Sequence, residues 1–168
     1  MGLLFFEQHT FHFENCLVIL DIDGTLVPDC GQVASALVVE KVQELKAQRN
    51  EVRLCSNSRR GNYAQRLDAI AAQLGVGVCP VVFRKPSTLA ISGIDRKGRE
   101  LVVIGDKDLT DGLLARRVGG QFIKVRRMLD PADRLSSRMA NLIDIVFGPI
   151  AIFLWDTLRV LSPRSREA

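Results

Sequence analysis

The fold is decided by residues 17–26, which read LVILDIDGTL. Four apolar residues lead directly into two carboxylates, Asp21 and Asp23, which are followed by Gly24. An uninterrupted apolar run of this kind is typical of a parallel strand that is covered on both faces. Ligands of open α/β sheets collect beyond the carboxyl ends of such strands. The stretch therefore predicts a buried strand that ends in an acidic functional loop.

The acidic pair indicates a particular kind of site. Asp21 and Asp23 would repel each other unless a cation or a shared proton lies between them. Hard divalent ions such as Mg²⁺ are bound by carboxylate oxygens and leave coordination sites for water and phosphate. An aspartate after a strand can also be a simple turn former or helix N-cap, but that explains a single residue better than a pair. The local pattern therefore predicts a Mg²⁺ and phosphate site.

Three further predicted strands end in polar loops. Residues 52–58 end in a polar stretch that contains Ser56 and Asn57. Their hydroxyl and amide groups can donate hydrogen bonds to phosphoryl oxygens. The apolar run 81–83 precedes Lys85, a cation held near a loop. The run 101–104 leads into a second acidic loop, which carries Asp106, Asp108 and Asp111. Four strand ends thus present an acid pair, a hydroxyl group, a lysine and an acid cluster, in that order.

Helix-period patterns fill the segments between the strands. Helices are predicted over 33–49, 62–74 and 111–118, and a fifth strand over 121–125. Alternating strands and helices with right-handed crossovers make an α/β fold, a doubly wound parallel five-stranded Rossmann-like sheet with helices on both faces. Each gap between motifs holds one helix and one strand, so we expect no cap domain. We divide the chain into an apolar N-terminal segment, a catalytic domain and a C-terminal helical tail, at 1–14, 15–130 and 131–168.

The order of these motifs resembles the haloacid dehalogenase (HAD) superfamily of phosphatases and phosphotransferases. The resemblance covers residues 16–127 and rests on DIDGT at 21–25, on the serine of LCSNS at 54–58, on the lysine of RKP at 84–86 and on GDKDLTD at 105–111. It implies that Asp21 is the nucleophile that forms an aspartyl-phosphate. It also implies that Asp23 acts first as general acid and then as general base.

The resemblance further implies how phosphate and metal are held. Ser56 would bind the transferred phosphoryl group, and Lys85 would balance its charge and that of Asp21. Mg²⁺ would be held by the Asp21 side chain, the Asp23 backbone carbonyl and Asp106, with Asp111 supporting that shell or orienting Lys85. Which of Asp106, Asp108 and Asp111 contacts the metal directly stays open. Asn57 and Arg59 are candidate substrate-binding residues, and a solvated arginine at a helix start is the alternative for Arg59.

Within the superfamily, the chain is most similar to the uncapped subgroup that includes phosphatidylglycerophosphate phosphatases. The features in common are SNS at 56–58, KP at 85–86 and the spacing from Asp106 to Asp111. The chain departs from the subgroup at Gly24, where asparagine is more usual, and in its long apolar tail. This resemblance implies a phosphorylated substrate on a membrane lipid, since an uncovered site suits a phosphate carried on something large.

The net positive charge of the chain lies in its last third. Residues 112–168 contain ten Lys or Arg against five Asp or Glu, whereas residues 1–111 contain thirteen against fourteen. An eleven-residue apolar segment, 145–155, is too short for a bilayer, which needs about 20 residues. Extension to 142–161 admits Asp144, Asp156 and Arg159, which are costly at depth. The tail is predicted to make peripheral membrane contact, with Trp155 at the headgroups; a helix docked on the sheet and a homo-oligomer contact stay open.

Cysteine spacing and the N-terminus bear on location. The four cysteines contain no C-x-x-C pair, so neither a zinc knuckle nor a redox motif is indicated, and buried reduced thiols are expected. The apolar start, residues 1–6, lacks the basic residues of a signal peptide. We therefore expect a cytoplasmic protein that is peripheral at the inner membrane surface.

Three other functions are compatible with parts of the pattern. A soluble HAD phosphatase for a sugar phosphate or another small metabolite would carry the same motifs. A polynucleotide 3′-phosphatase would use the basic third and would show steep salt dependence, but aromatic residues are not interleaved with the basic ones, so a nucleic-acid partner is disfavoured. An inactive HAD-fold binding module is disfavoured because Asp21, Asp23, Ser56 and Lys85 are all present.

Overall fold

The computed structural model describes residues 2–29, 31–57, 62–79, 83–131 and 133–161. The strands are β1 (Leu17–Leu20), β2 (Glu51–Leu54), β3 (Gly77–Val78), β4 (Leu101–Gly105) and β5 (Gln121–Lys124). The α-helices are α1 (Ala36–Ala47), α2 (Asn62–Leu74), α3 (Leu113–Arg117) and α4 (Leu135–Leu161). Short 3₁₀ turns occur at Phe6–Gln8 and Thr88–Ile91, and a π-helical turn, Asp108–Gly112, leads into α3.

The strands form one parallel sheet in the order β3-β2-β1-β4-β5. β1 is central and pairs along its whole length with β2 and β4. All four of its residues are buried, as the continuous apolar run predicts. The predicted five-stranded parallel Rossmann-like sheet is confirmed, and among the described residues no cap domain is inserted between its elements. Because every strand runs the same way, all carboxyl ends meet at one edge.

Successive residues of the central strands point to opposite faces, and each face has its own core. Val18 and Leu20 lie in a cluster that includes Val38, Val42 and Leu45 of α1 and buried residues of α2. Leu17 and Ile19 lie in a second cluster with Leu114 and Ala115 of α3 and with the 88–91 turn. Helices therefore cover both faces, as predicted. The α1 boundaries are narrower than the predicted 33–49, because the Ser35 hydroxyl accepts from the Val38 N–H and caps the helix there.

The third strand lies earlier in the chain than predicted. The sequence predicts it at 81–83, but β3 is Gly77–Val78, which pairs with Arg53 and Leu54 of β2. Phe83 belongs to no strand and is 53% exposed, while residues 80–82 lie outside the described part of the chain. β3 is a short edge strand that is separated from α2 by two residues, and the sequence did not predict it. Its two residues, Gly77 and Val78, give a weaker hydrophobic signal than the VVF run at 81–83.

The C-terminal tail, which was predicted to be helical, contains one continuous helix, α4, that extends beyond the apolar segment 145–155 on both sides. By length and composition alone, its residues Leu135–Arg159 could cross a membrane, and only 11% of the most apolar window is buried. Trp155 is half-buried and packs towards α3, with the Arg117 guanidinium carbon 5.7 Å from its ring centre. One side of α4 is therefore docked, which bears out part of the docked-helix alternative. The position of Trp155 at the headgroups stays a prediction.

Candidate active site

The strand ends bring the predicted residues together. Asp21 and Asp23 follow β1, Ser56 follows β2, and the loop carrying Lys85 reaches the same edge. These side chains and Asn57 line a cavity of about 530 Å³. The other predicted site residues, Asp106 and Asp111, lie in the loop that follows β4 and are buried beside Asp21. Arg59 lies outside the described residues.

Lys85 lies at the centre of the cluster. Its Nζ donates to Asp21 Oδ1 and to Asp111 Oδ1, each at 2.6 Å, and its side chain is only 2% exposed. Asn57 fixes the backbone that carries this lysine. The Lys85 N–H donates to Asn57 Oδ1 at 2.6 Å, and Asn57 Nδ2 donates to the Lys85 carbonyl at 3.1 Å. Asn57 therefore positions Lys85, and its predicted contact with substrate stays a prediction.

The charges on Lys85 and Asp21 stabilise each other. Burial lowers the pKa of Lys85, but Asp111 and Asp21 outweigh that effect and raise the pKa well above its ordinary value. Burial raises the pKa of Asp21, but Lys85 and Lys107 outweigh it, so the net pKa is lower than usual. Asp21 is consequently held as an anion, which is the form that can act as a nucleophile.

Asp23 has the opposite character. Burial and the nearby Asp21 charge raise its pKa, and the Arg66 guanidinium opposes them only in part. Arg66 Nη2 lies 2.8 Å from Asp23 Oδ1 as an ion pair, although the two groups are not aligned as a hydrogen bond. A carboxyl group with a raised pKa beside an anionic neighbour is suited to carry a proton. The environment thus gives the two aspartates different chemical properties.

Three buried carboxylates could hold a metal ion. One oxygen from each of Asp21, Asp106 and Asp111 lies within 4.8 Å of the others. Burial raises the pKa of Asp106, and it raises that of Asp111 to about 7. Close carboxylates in a buried site disfavour one another's charge, and a hard divalent cation relieves that cost. The donor set therefore fits an oxygen-preferring metal ion.

Asp108 is separate from this cluster, which narrows the ligand choice left open by the sequence. Its carboxylate forms an ion pair with Lys124, and its N–H donates to Asp144 of α4 at 3.0 Å. Asp111 is held through Lys85 and through the Thr110 hydroxyl, which donates to Oδ2 at 3.1 Å. Asp106 and Asp111, rather than Asp108, are thus near Asp21.

Two glycines make room for the acidic loops. Gly24 has φ +86°, and a Cβ there would lie 2.8 Å from Asp106 Oδ2 and closer still to Arg127. A Cβ on Gly105 would lie 2.4 Å from the Asp111 carboxyl carbon. A side chain at either position would therefore displace a carboxylate of the cluster.

Several residues of the site were not predicted as such. Arg127 donates to Asp106 and to the Ser137 hydroxyl, Arg66 pairs with Asp23, and Asp144 accepts from the acidic loop. Arg66 and Asp144 had a usable signal, because each is a charge among apolar helix positions. Arg127 had none beyond its basic character. The first turns of α4 also line the cavity, through Ser136, Ser137 and Ala140.

One solved structure, described as "Structure of Pnkp1/Rnl/Hen1 complex", aligns with the fold. It is 17% identical and aligns with a TM-score of 0.49. The alignment covers 67% of this chain and 46% of the other, so this chain spans less than half of that protein. Among curated proteins, none matches the chain.

The sequence also matches a family of proteins. The family described as mitochondrial PGP phosphatase matches residues 8–129, which is most of the chain and includes every strand of the sheet. The match covers both aspartates after β1, the buried lysine and the acidic loop after β4. The chain therefore belongs to the mitochondrial PGP phosphatase family and has a HAD-like fold.

Proposed function

We propose that this protein is a Mg²⁺-dependent phosphatase that hydrolyses a phosphomonoester on a phospholipid headgroup, such as phosphatidylglycerophosphate, through an aspartyl-phosphate on Asp21. The observation that carries the proposal is the buried Lys85 ammonium, which lies 2.6 Å from both Asp21 and Asp111. It keeps the nucleophile anionic and supplies positive charge where phosphoryl oxygens would bind. Catalysis of phosphoryl transfer depends mainly on such positioning and charge.

In the first step, an Asp21 oxygen attacks phosphorus and the bond to the ester oxygen breaks. The leaving alkoxide takes a proton from the Asp23 carboxyl group, whose raised pKa favours the protonated form. In the second step, the Asp23 carboxylate takes a proton from water as that water attacks phosphorus. The bond between phosphorus and Asp21 breaks, inorganic phosphate leaves, and both aspartates return to their first state.

The remaining residues hold the reacting groups. Ser56, 6% exposed at the end of β2, would donate to a phosphoryl oxygen, and Lys85 would neutralise the charge that builds up there. Asp21, Asp106 and Asp111 would hold Mg²⁺, together with the Asp23 carbonyl. The metal supplies positive charge that offsets repulsion between the Asp21 carboxylate and the phosphate dianion.

The family and the location of the cavity support a lipid substrate. Membership of a PGP phosphatase family indicates activity on a phospholipid headgroup. The cavity is walled by α4, which exposes many apolar residues. Peripheral membrane contact through the C-terminal helix is part of this proposal. A cytoplasmic location and homo-oligomer formation stay predictions, and the family's description refers to mitochondria.

Phosphate release tests the mechanism. With Mg²⁺ and phosphatidylglycerophosphate in mixed micelles, the parent should release phosphate, and Asp21→Asn should be slower by on the order of a thousandfold or more, because the amide cannot attack phosphorus. Asp68→Asn, at an exposed position of α2, is the matched control and should keep parental activity. Sugar phosphates and 3′-phosphorylated oligonucleotides complete the panel.

Two outcomes would contradict parts of the proposal. An Asp21→Asn variant as fast as the parent would exclude the aspartyl-phosphate. Faster turnover of a sugar phosphate or an oligonucleotide than of the lipid would replace the substrate assignment and leave the mechanism standing.

A further inference from the structure

We infer that α4 lies in the plane of a membrane surface, with one side docked on the sheet domain and its apolar side in an anionic phospholipid bilayer. The inference deepens the proposed function and rests on it for the lipid nature of the substrate. It assigns an interaction surface to residues 135–158 of α4, which lie outside the family-matched range.

The docked side of α4 is closely fitted and is held by several polar contacts. Asp144 is 2% exposed and accepts from the Asp108 and Leu109 N–H groups, at 3.0 and 2.7 Å. One turn later, Gly148 is so close to Asp108 that a Cβ would lie 2.8 Å from the Asp108 Cβ. Near the end of the helix, Asp156 pairs with Arg116 at 3.0 Å. These contacts run along much of the helix and hold it against the domain.

The opposite side of α4 is apolar and exposed. Its large side chains are 47–75% exposed and are Leu135, Met139, Leu142, Ile143, Ile145, Val146, Phe147, Ile150, Phe153, Leu154 and Leu158. Between Arg138 and Asp156 the only charged residue is Asp144, which faces inward. The exposed surface over this stretch therefore carries no charge. A contiguous apolar surface of this size marks an interaction site.

The shape of this surface favours lipid over a partner helix. At about 100° per residue, the exposed apolar positions spread over well more than half of the helix circumference. A single partner helix covers only a narrow seam of positions repeating every 3.5 residues. A bilayer contacts the whole outward side at once, so it can bury all of these side chains together.

The docking contacts favour a helix that lies on the membrane over one that crosses it. The hydrogen bonds of Asp144 and Asp156 hold the helix against the domain at two places that are about three turns apart. A membrane-spanning α4 would have to leave the domain. Asp144 would then lie in hydrocarbon without the two N–H groups that it accepts from, which is costly. Docked as observed, α4 keeps Asp144 buried against the domain and turns its apolar side outward.

Charge and the cavity locate the headgroup region at the N-terminal end of α4. Ser136, Ser137 and Ala140 line the cavity that contains Asp21. Arg138, beside them, donates to backbone carbonyls and pairs with no carboxylate among the described residues. Arg84, which is exposed, lines the cavity and forms no ion pair within the described part of the chain. Two uncompensated cations beside the cavity complement anionic headgroups.

Vesicle flotation of the full chain tests this surface. The parent should bind phosphatidylcholine vesicles that contain phosphatidylglycerol more strongly than phosphatidylcholine alone. The double variant Phe147→Gln/Phe153→Gln, at positions 55% and 69% exposed, should reduce the bound-to-free ratio about tenfold or more. The matched control is Leu37→Gln/Leu89→Gln, at positions 61% and 45% exposed on other elements, and it should bind as the parent does. Both variants should hydrolyse p-nitrophenyl phosphate at the parental rate, which shows that they are folded.

Other outcomes would overturn the inference. Equal binding by the parent and by the α4 variant would exclude this surface. Parent protein that resists alkaline carbonate extraction would indicate a spanning helix. A parental dimer that fails to bind vesicles and dissociates in the α4 variant would assign the surface to a second copy. Asp21→Asn separates the two proposals, because it should bind vesicles fully while lacking phosphatase activity, whereas parent protein that binds vesicles without releasing phosphate contradicts only the proposed function.

Discussion

Asp21 and Asp23 are separated by one residue, yet their surroundings move their pKa values in opposite directions. The Asp21 carboxyl group points towards Lys85, which with Lys107 outweighs the effect of burial and lowers the pKa. The Asp23 carboxyl group has a raised pKa because burial and Asp21 outweigh the effect of Arg66. Environments that separate the pKa values of neighbouring acids create distinct nucleophile and acid roles.

The role of Asp23 can be tested through the leaving group. An alkyl phosphate leaves as a basic alkoxide and needs a proton, whereas p-nitrophenolate leaves without one. We therefore expect Asp23→Asn to slow hydrolysis of the lipid by about 10²–10⁴-fold and that of p-nitrophenyl phosphate by much less. Steady-state rates on the two substrates measure this difference. An equal loss on both would mean that Asp23 is not the general acid.

The sequence was sufficient for residues that follow strands and insufficient for their partners. Asp21, Ser56 and Asp106 could be assigned to one edge because parallel strands bring their carboxyl ends together. The contacts of Arg66 with Asp23 and of Arg127 with Asp106 join segments about 20 to 40 residues apart, after a helix or a crossover. Such contacts depend on side-chain packing between elements, which hydrophobic periodicity does not describe.

At the scale of elements, the π-helical turn Asp108–Gly112 connects the buried acidic cluster around Lys85 to α4. It carries Asp111, which pairs with Lys85, and its first two N–H groups donate to Asp144. Asp144 also lies 3.7 Å from Lys124 of β5. In the sequence this aspartate interrupts an apolar segment and argues against membrane insertion. In the structure it satisfies the backbone of the turn that precedes α3.

Two aspartates of α4 provide a matched comparison. Asp144→Ala removes the acceptor of two buried N–H groups, so we expect a loss of about 1.5–3 kcal/mol in the free energy of unfolding and a lower kcat. Asp156→Ala removes an ion pair that is 55% exposed on its acidic side, and should cost at most about 1 kcal/mol. Chemical denaturation and steady-state kinetics measure both effects. Equal effects of the two substitutions would show that Asp144 does not position the turn.

Helices and strands were predicted well where the hydrophobic pattern extends over many residues, and poorly where it covers only a few. The thirteen-residue helix α2 begins and ends where the pattern predicts, because Leu67, Ile70, Ala71 and Leu74 form a repeating buried side. β3 has two residues, Gly77 and Val78, which the sequence did not predict as a strand. A two-residue edge strand is defined by its pairing with β2, and pairing partners cannot be read from a local pattern.

At the scale of the whole molecule, contacts distant in sequence hold α4 to the sheet. Arg134, just before α4, donates to both oxygens of Asp29 at 3.0 and 2.9 Å, across 105 residues. Asp29 follows β1 and its side chain is 2% exposed. The hydrogen bonds from Arg134 lower the pKa of Asp29, with burial opposing them. This ion pair joins the loop after β1 to the segment before α4, beside the cavity.

This ion pair predicts an acid dependence of stability. Because the folded pKa of Asp29 is below the unfolded value of about 3.9, its contribution is fully present above that value and is lost as the pH falls through the folded pKa. Asp29→Asn should therefore be less stable than the parent at neutral pH, with the difference closing in acid. Urea denaturation across this pH range measures it. The Asp68→Asn variant, at an exposed position, should be as stable as the parent at neutral and at acid pH. A stability difference between Asp29→Asn and the parent that grows in acid would contradict the assignment.

The dependence of the acidic turn on Asp144 has a practical meaning for where the protein can be shortened. Sequence similarity to the family ends at residue 129, and a fragment cut there would contain every strand of the sheet. It would also leave the Asp108 and Leu109 amides without their acceptor and Asp29 without its guanidinium partner. The range that matches the family is therefore shorter than the part of the chain that folds as one unit. Expression clones of this protein should extend through α4.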